Sequence, residues 1–131
     1  MRIANAVMCA LFGFGALLQL NDPDPLRWVA IYGAAAATCG WLASTRRRNA
    51  LMGLLPALVA AVDLTWAASI AYGSSGRVEF MRLFEAWGMK NAAVEERREL
   101  YGLLIVGTWM IVASLDYVGA AFRRAQTQYD R

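Results

Sequence analysis

Four runs of nearly uninterrupted apolar residues, at 3–20, 26–44, 50–72 and 100–122, leave this chain few ways to fold. Each approaches the ~20 residues a helix needs to cross about 30 Å of hydrocarbon. Lipid offers no hydrogen-bond partner to a backbone, so only helices and closed barrels can cross it. No ten-residue alternating pattern suggests barrel strands. Hydrophobic residues make up 59% of the 131, against roughly 45–50% in soluble domains. The excess must face lipid. The expected fold is all-α: an integral membrane four-helix bundle forming a single domain over 1–131. A cleaved signal peptide is suggested by Arg2 ahead of the first run, but no small-x-small cleavage site lies well before Asn21, and a turn leads straight into the second run.

The formal net charge is +3, and the arginines are clustered. "TRRRN" (45–49) joins the second and third runs, Arg123, Arg124 and Arg131 follow the fourth, and Arg2 precedes the first. The first loop carries only Arg27. The third loop is long and mixes five basic residues with five glutamates. Basic residues favour the cytoplasmic side, so both termini are expected in the cytoplasm, in an inner or plasma membrane. Short clusters of this kind are a topology signal, and no nucleic-acid partner is expected. With no histidine, the chain lacks the commonest general base and neutral metal ligand. No nucleotide loop, HExxH, nucleophile elbow or haem motif appears. The expectation is a protein that is not an enzyme and needs no cofactor.

"LQLNDPDPLRW" (18–28) sets two carboxylates at the edge of hydrocarbon. A turn alone accounts for much of this. Asn21 can end the first helix in a left-handed conformation. Asp22 precedes Pro23 and is forced extended. Asp24 is a good N-cap, and Pro25 suits the first helical position. "NAAVEERREL" (91–100) lies on the same side in this topology. Asn91 can cap a helix leading into the fourth span. Glu95 and Glu99, and Glu96 and Glu99, share neighbouring rows of that helix. Carboxylates from two elements suit a hard cation, and equally a salt-bridge network with Arg27, Arg97 and Arg98. The spacing matches no calcium loop, and the identity of any metal stays open.

These two stretches, "LQLNDPDPLRWVAIYG" and "EERRELYGLLIVGTW", resemble the transmembrane protein 220 family of small four-span membrane proteins. The resemblance covers nearly the whole chain in length and span order. It marks Asn21, Pro23, Pro25, Trp28 and Gly102 as structural, and raises the weight of Asp22, Asp24, Glu96 and Glu99 as a matched pair of motifs. It departs at Tyr101, where a second glycine is expected and an aromatic ring would fill a close helix contact. It implies an architecture and no chemistry.

Within the spans, Asp63 and Asp116 are costly residues that normally face an interior. Asp116 is placed to lean toward Arg123 and Arg124. At 1.5 Å per residue, Gln19, Tyr32 and Thr108 fall near the level of Asp63. That layer is either polar glue, worth ~0.6 kcal/mol per contact, or the floor of an outward cavity. Cys9 and Cys39 share a depth; a soft-metal pair with Met8 is one use, buried apolar thiols the commoner one. Gly33/Ala37 and Ala36/Gly40 permit close helix approach in the second span. Between spans three and four, an apolar stripe of Phe80, Met81, Phe84, Trp87 and Gly88 predicts an amphipathic interfacial helix over about 76–90.

Two functions remain. The first is an accessory or assembly subunit whose partners are the lipid bilayer and a larger membrane protein complex. The alternative is outward-facing binding of a cation, proton or amphiphile by Asp22, Asp24, Glu96 and Glu99, with Asp63 beneath.

Overall fold

The computed structural model describes residues 1–22, 24–45, 49–73 and 92–129, with only the backbone at 92–95 and 129. Four α-helices lie among them: α1 (Arg2–Leu18), α2 (Pro25–Ser44), α3 (Leu54–Gly73) and α4 (Ala92–Tyr129). Short 3-10 turns, Gln19–Asn21 and Ala50–Gly53, lead out of α1 and into α3. The protein is an all-α membrane protein. α1 with its turn, α3 with its turn, and α4 are each long and apolar enough to cross a bilayer. α2 is not among these: its 20 residues suffice in length, but alanine, glycine and threonine, with Arg27 near the start, dilute its apolar character. The interfacial helix at 76–90, and Asn91 as a cap, lie outside the described residues.

α1 packs antiparallel along α2, and α3 along α4; far less joins the two pairs. Arg2 Nε donates to the Ala43 carbonyl at 2.9 Å, while Gly15 at the other end of α1 lies against the Tyr32 ring. Ser114 Oγ donates to the Gly53 carbonyl at 2.9 Å, and Leu100 and Leu103 meet Ala67. One end of the molecule thus gathers Arg2, Ala43, Gly53 and the last turns of α4. The other gathers the α1–α2 turn, the end of α3 and the start of α4.

Three apolar clusters hold the pairs together. Phe12, Ala35, Cys39, Ala60, Val106 and Met110, drawn from all four helices, form the middle one. Trp28, Ala67, Leu100 and Leu103 close the turn end. Leu42, Ala113 and Tyr117 close the arginine end. There the Tyr117 hydroxyl donates to the Leu42 carbonyl at 3.0 Å, satisfying one of the acceptors a helix C-terminus leaves without an internal partner. The outward faces remain apolar: Leu11, Phe14, Leu58, Val62, Leu115 and Phe122 are all exposed, as side chains facing lipid should be.

Candidate functional site

Aromatic packing places the two acidic motifs at one end. Trp28, on the first turn of α2, is buried against Leu100 and Ala67. It stacks on Trp66 of α3, centroids 5.9 Å apart and planes 27° apart. The Arg27 guanidinium carbon sits 5.9 Å from the centre of the Trp66 ring, within cation–π range. The resemblance marked Trp28; Trp66 carries the other half of this platform.

In the turn, Asp22 is extended (φ −76°, ψ 151°), as an aspartate ahead of proline should be. Pro25 is the first residue of α2. Two expectations need correction. Asn21 does not adopt a left-handed conformation: no described non-glycine residue has positive φ. α1 ends instead by tightening into the 3-10 turn, where the Asp22 amide donates to the Gln19 carbonyl at 3.1 Å. Asp24 occupies the N-cap position, but its side chain accepts no capping bond. Asp24 is drawn to Arg27, at 3.5 Å, and its own amide donates to Asp22 Oδ1, also at 3.5 Å. Both members of this pair are largely exposed, so it contributes little stability.

Glu96 is exposed and Glu99 half-buried on the first turns of α4. The packing of Trp28 on Leu100, the residue after Glu99, puts both glutamates on the same end as Asp22 and Asp24. Among the described residues no three acidic or cysteine side chains converge as they would around a metal ion. Cys9 and Cys39 are free thiols. Cys9 Sγ lies 3.2 Å from where a Cβ on Gly40 would stand, so Gly40 admits the close approach of α1. The other glycine weighed in that helix, Gly33, faces open space.

Asp63 is buried at 2% exposure, and its Oδ2 has no hydrogen-bond partner. It faces α4, its Cβ 3.6 Å from where a Cβ on Gly107 would be. The expected four-helix polar layer is only partly realised. Tyr32 reaches the interior, Gln19 is half-buried, and Thr108 points outward, because the helical phase of α4 turns Val106 and Met110 inward instead.

Tyr32 lies across the junction of the pairs. A Cβ on Gly15 would stand 3.1 Å from one edge of its ring, and a Cβ on Gly102 only 2.5 Å from its hydroxyl oxygen. Gly102 therefore has a steric reason to be glycine. The close aromatic contact expected at Tyr101 is made one residue on, by the Tyr32 ring; Tyr101 itself is 39% exposed.

Asn5 escaped the sequence reading. It is fully buried, with neither amide oxygen nor nitrogen paired. The signal was a single asparagine inside an apolar run. Trp109 lies beside the Cys39 thiol, and its indole nitrogen has no partner within hydrogen-bond reach. Facing lipid, an open groove of about 380 Å³ separates the first and last helices, lined by Met8, Tyr101, Leu104, Ile105, Trp109 and Val112, with Thr108.

The family described as "Transmembrane family 220, helix" matches residues 11–115. Transmembrane protein 220 of Xenopus laevis is 30% identical over 122 residues, covering 91% of this chain and 61% of that relative. The chain thus spans less than two-thirds of the relative's length. No solved structure matches it.

Proposed function

Because the chain belongs to transmembrane family 220, we propose that it is a small accessory or assembly subunit, acting by contact with other membrane proteins and carrying no catalytic chemistry. In this reading it is a four-helix bundle and α2 is a fourth crossing. Its 20 residues span ~30 Å, and it runs beside α1 from one end to the other. Both termini then face the cytoplasm, and the acidic end faces outward.

The observation that carries the reading is the groove between α1 and α4. A closed helix bundle packs its first helix against its last. Here an apolar seam lies between them, lined by six residues of α4 and by Met8 of α1. Helix association in lipid depends on close van der Waals packing, and this seam offers a partner helix an apolar face of α4 edged by Met8 of α1. Purification from native membranes in mild detergent, followed by mass spectrometry, tests it. A stoichiometric membrane protein is expected to co-purify. Ile105→Trp, filling the groove, should abolish the association, whereas Leu58→Trp on the outer face of α3 should leave it intact. Absence of any stoichiometric partner, or equal retention by both variants, overturns the reading.

A second reading draws support from the placement of Asp22, Asp24, Glu96 and Glu99 at one end. There they would bind a cation, proton or amphiphile above Asp63. Calcium should then raise the melting temperature of the monodisperse protein, and Asp22→Asn should remove that response. An unchanged melting curve excludes calcium as the ligand.

A further inference from the structure

Two buried groups between α1, α2 and α4 make no hydrogen bond. Asn5 of α1 is fully buried, with neither amide atom paired, and the indole N–H of Trp109 in α4 is buried and unpaired as well. Among the described residues only Asp63 shares this condition. Unpaired buried groups lower stability, so each needs a reason. Sulfur lies beside both. Cys9 follows Asn5 by one helical turn, on the same face of α1. Its Sγ lies against α2, 3.2 Å from where a Cβ on Gly40 would be. Cys39, the residue before Gly40, is fully buried and has the Trp109 indole beside its thiol. Cys9, Cys39 and Trp109 pack in one cluster, and both thiols are free.

Three helices therefore wall this place, and its chemistry is soft. Thiolates select copper(I), zinc or iron–sulfur clusters over hard cations. Zinc and the clusters want about four ligands, and among the described residues no third acidic or cysteine side chain joins these two. Copper(I) is satisfied by a pair of thiolates in line. Met8, which lines the α1–α4 groove together with Trp109, also packs on this cluster. The groove thus reaches the cluster that holds the thiols, with a thioether, itself a soft ligand, at its edge.

We propose that Cys9 and Cys39 bind one copper(I) ion between α1 and α2, with the Asn5 and Trp109 N–H groups donating to the coordinated sulfurs. Each thiol gives up its proton on coordination. One Cu⁺ enters, two H⁺ leave to the surrounding water, two Cu–S bonds replace two S–H bonds, and no electron is transferred. The site gains one negative charge, which is costly among apolar side chains. Hydrogen bonds from buried N–H groups to an anionic sulfur offset that cost, and they give the otherwise unpaired donors a partner. The proposal does not rest on a protein partner in the α1–α4 groove.

Anaerobic titration of the reduced, detergent-purified chain with copper(I) held by bicinchoninate tests it. The chain is expected to withdraw one copper from the chelator, and X-ray absorption at the copper edge should show two thiolate sulfurs as its neighbours. Cys9→Ala and Cys39→Ala should each abolish the withdrawal. Asn5→Leu keeps both thiols. It should weaken copper binding about tenfold, the usual cost of losing a group that hydrogen-bonds a metal ligand, and raise the melting temperature, because the unpaired amide is gone. No withdrawal of copper by the native chain overturns the proposal. So does withdrawal that persists when both cysteines are alanine, and so do oxygen or nitrogen neighbours in the absorption spectrum of the native chain. Unchanged copper affinity in Asn5→Leu overturns the part given to the amide.

Discussion

Gly102→Ala is expected to destabilise the protein by about 1–3 kcal/mol, the usual cost of forcing a methyl into a packed site, and Tyr32→Phe is expected to restore most of the loss. The added Cβ would stand 2.5 Å from the Tyr32 hydroxyl oxygen and 3.6 Å from the ring carbon that bears it. The first distance is a collision; the second is ordinary contact. The ring cannot simply back away, because its other edge lies against Gly15 of α1. Removing the hydroxyl therefore relieves the clash where a shift of the ring would not. Thermal melting of the two single variants and the double variant in detergent gives the coupling directly. Additive losses in the double variant would show that Gly102 is glycine for some reason other than Tyr32.

Asp63→Leu is expected to stabilise the protein by about 1–3 kcal/mol, the cost of holding a buried polar atom without a partner. Leucine branches at the γ carbon, as aspartate does, so the shape presented to Gly107 is close to the native one. Asp63→Asn, which keeps polar atoms in the same place, should gain much less. A higher melting temperature for Asp63→Leu would mean the carboxyl is retained at a cost in stability, as residues kept for function commonly are. A lower one would show that the carboxyl has a partner in the folded protein, and the site beneath the acidic end would lose its floor.

Tyr32 and Gly102 show where sequence reading reaches its limit. Gly102 was marked by the resemblance, and Tyr32 by its depth in the second span. That these two touch depends on how one helix pair is rotated against the other, which a one-dimensional pattern does not encode. The same holds for the polar layer. Gln19, Tyr32, Asp63 and Thr108 were matched by depth, which rise per residue supplies, but depth says nothing about helical phase. Val106 and Met110 took the inward face of α4, and Thr108 turned outward with it.

The turn separates in the same way. Pro25 opening α2 and an extended Asp22 are local consequences of proline geometry, and the structure has both. Asp24 accepting no helix cap was not legible, because Arg27, three residues on, competes for its carboxylate. Asn5 was passed over because one asparagine in a hydrophobic run carries no period.

The residues by themselves determined the helical class, the membrane setting, the positions of the apolar runs and the hairpin at 18–28. Hydrocarbon length and backbone hydrogen bonding permit little else, and proline acts on its immediate neighbours. Only the tertiary structure decided that the helices pack as two close pairs with an open seam between α1 and α4, and that Tyr32 bridges those pairs between two glycines. These depend on contacts between residues far apart in the chain, whose relative rotation is set by side-chain shape across the whole interface.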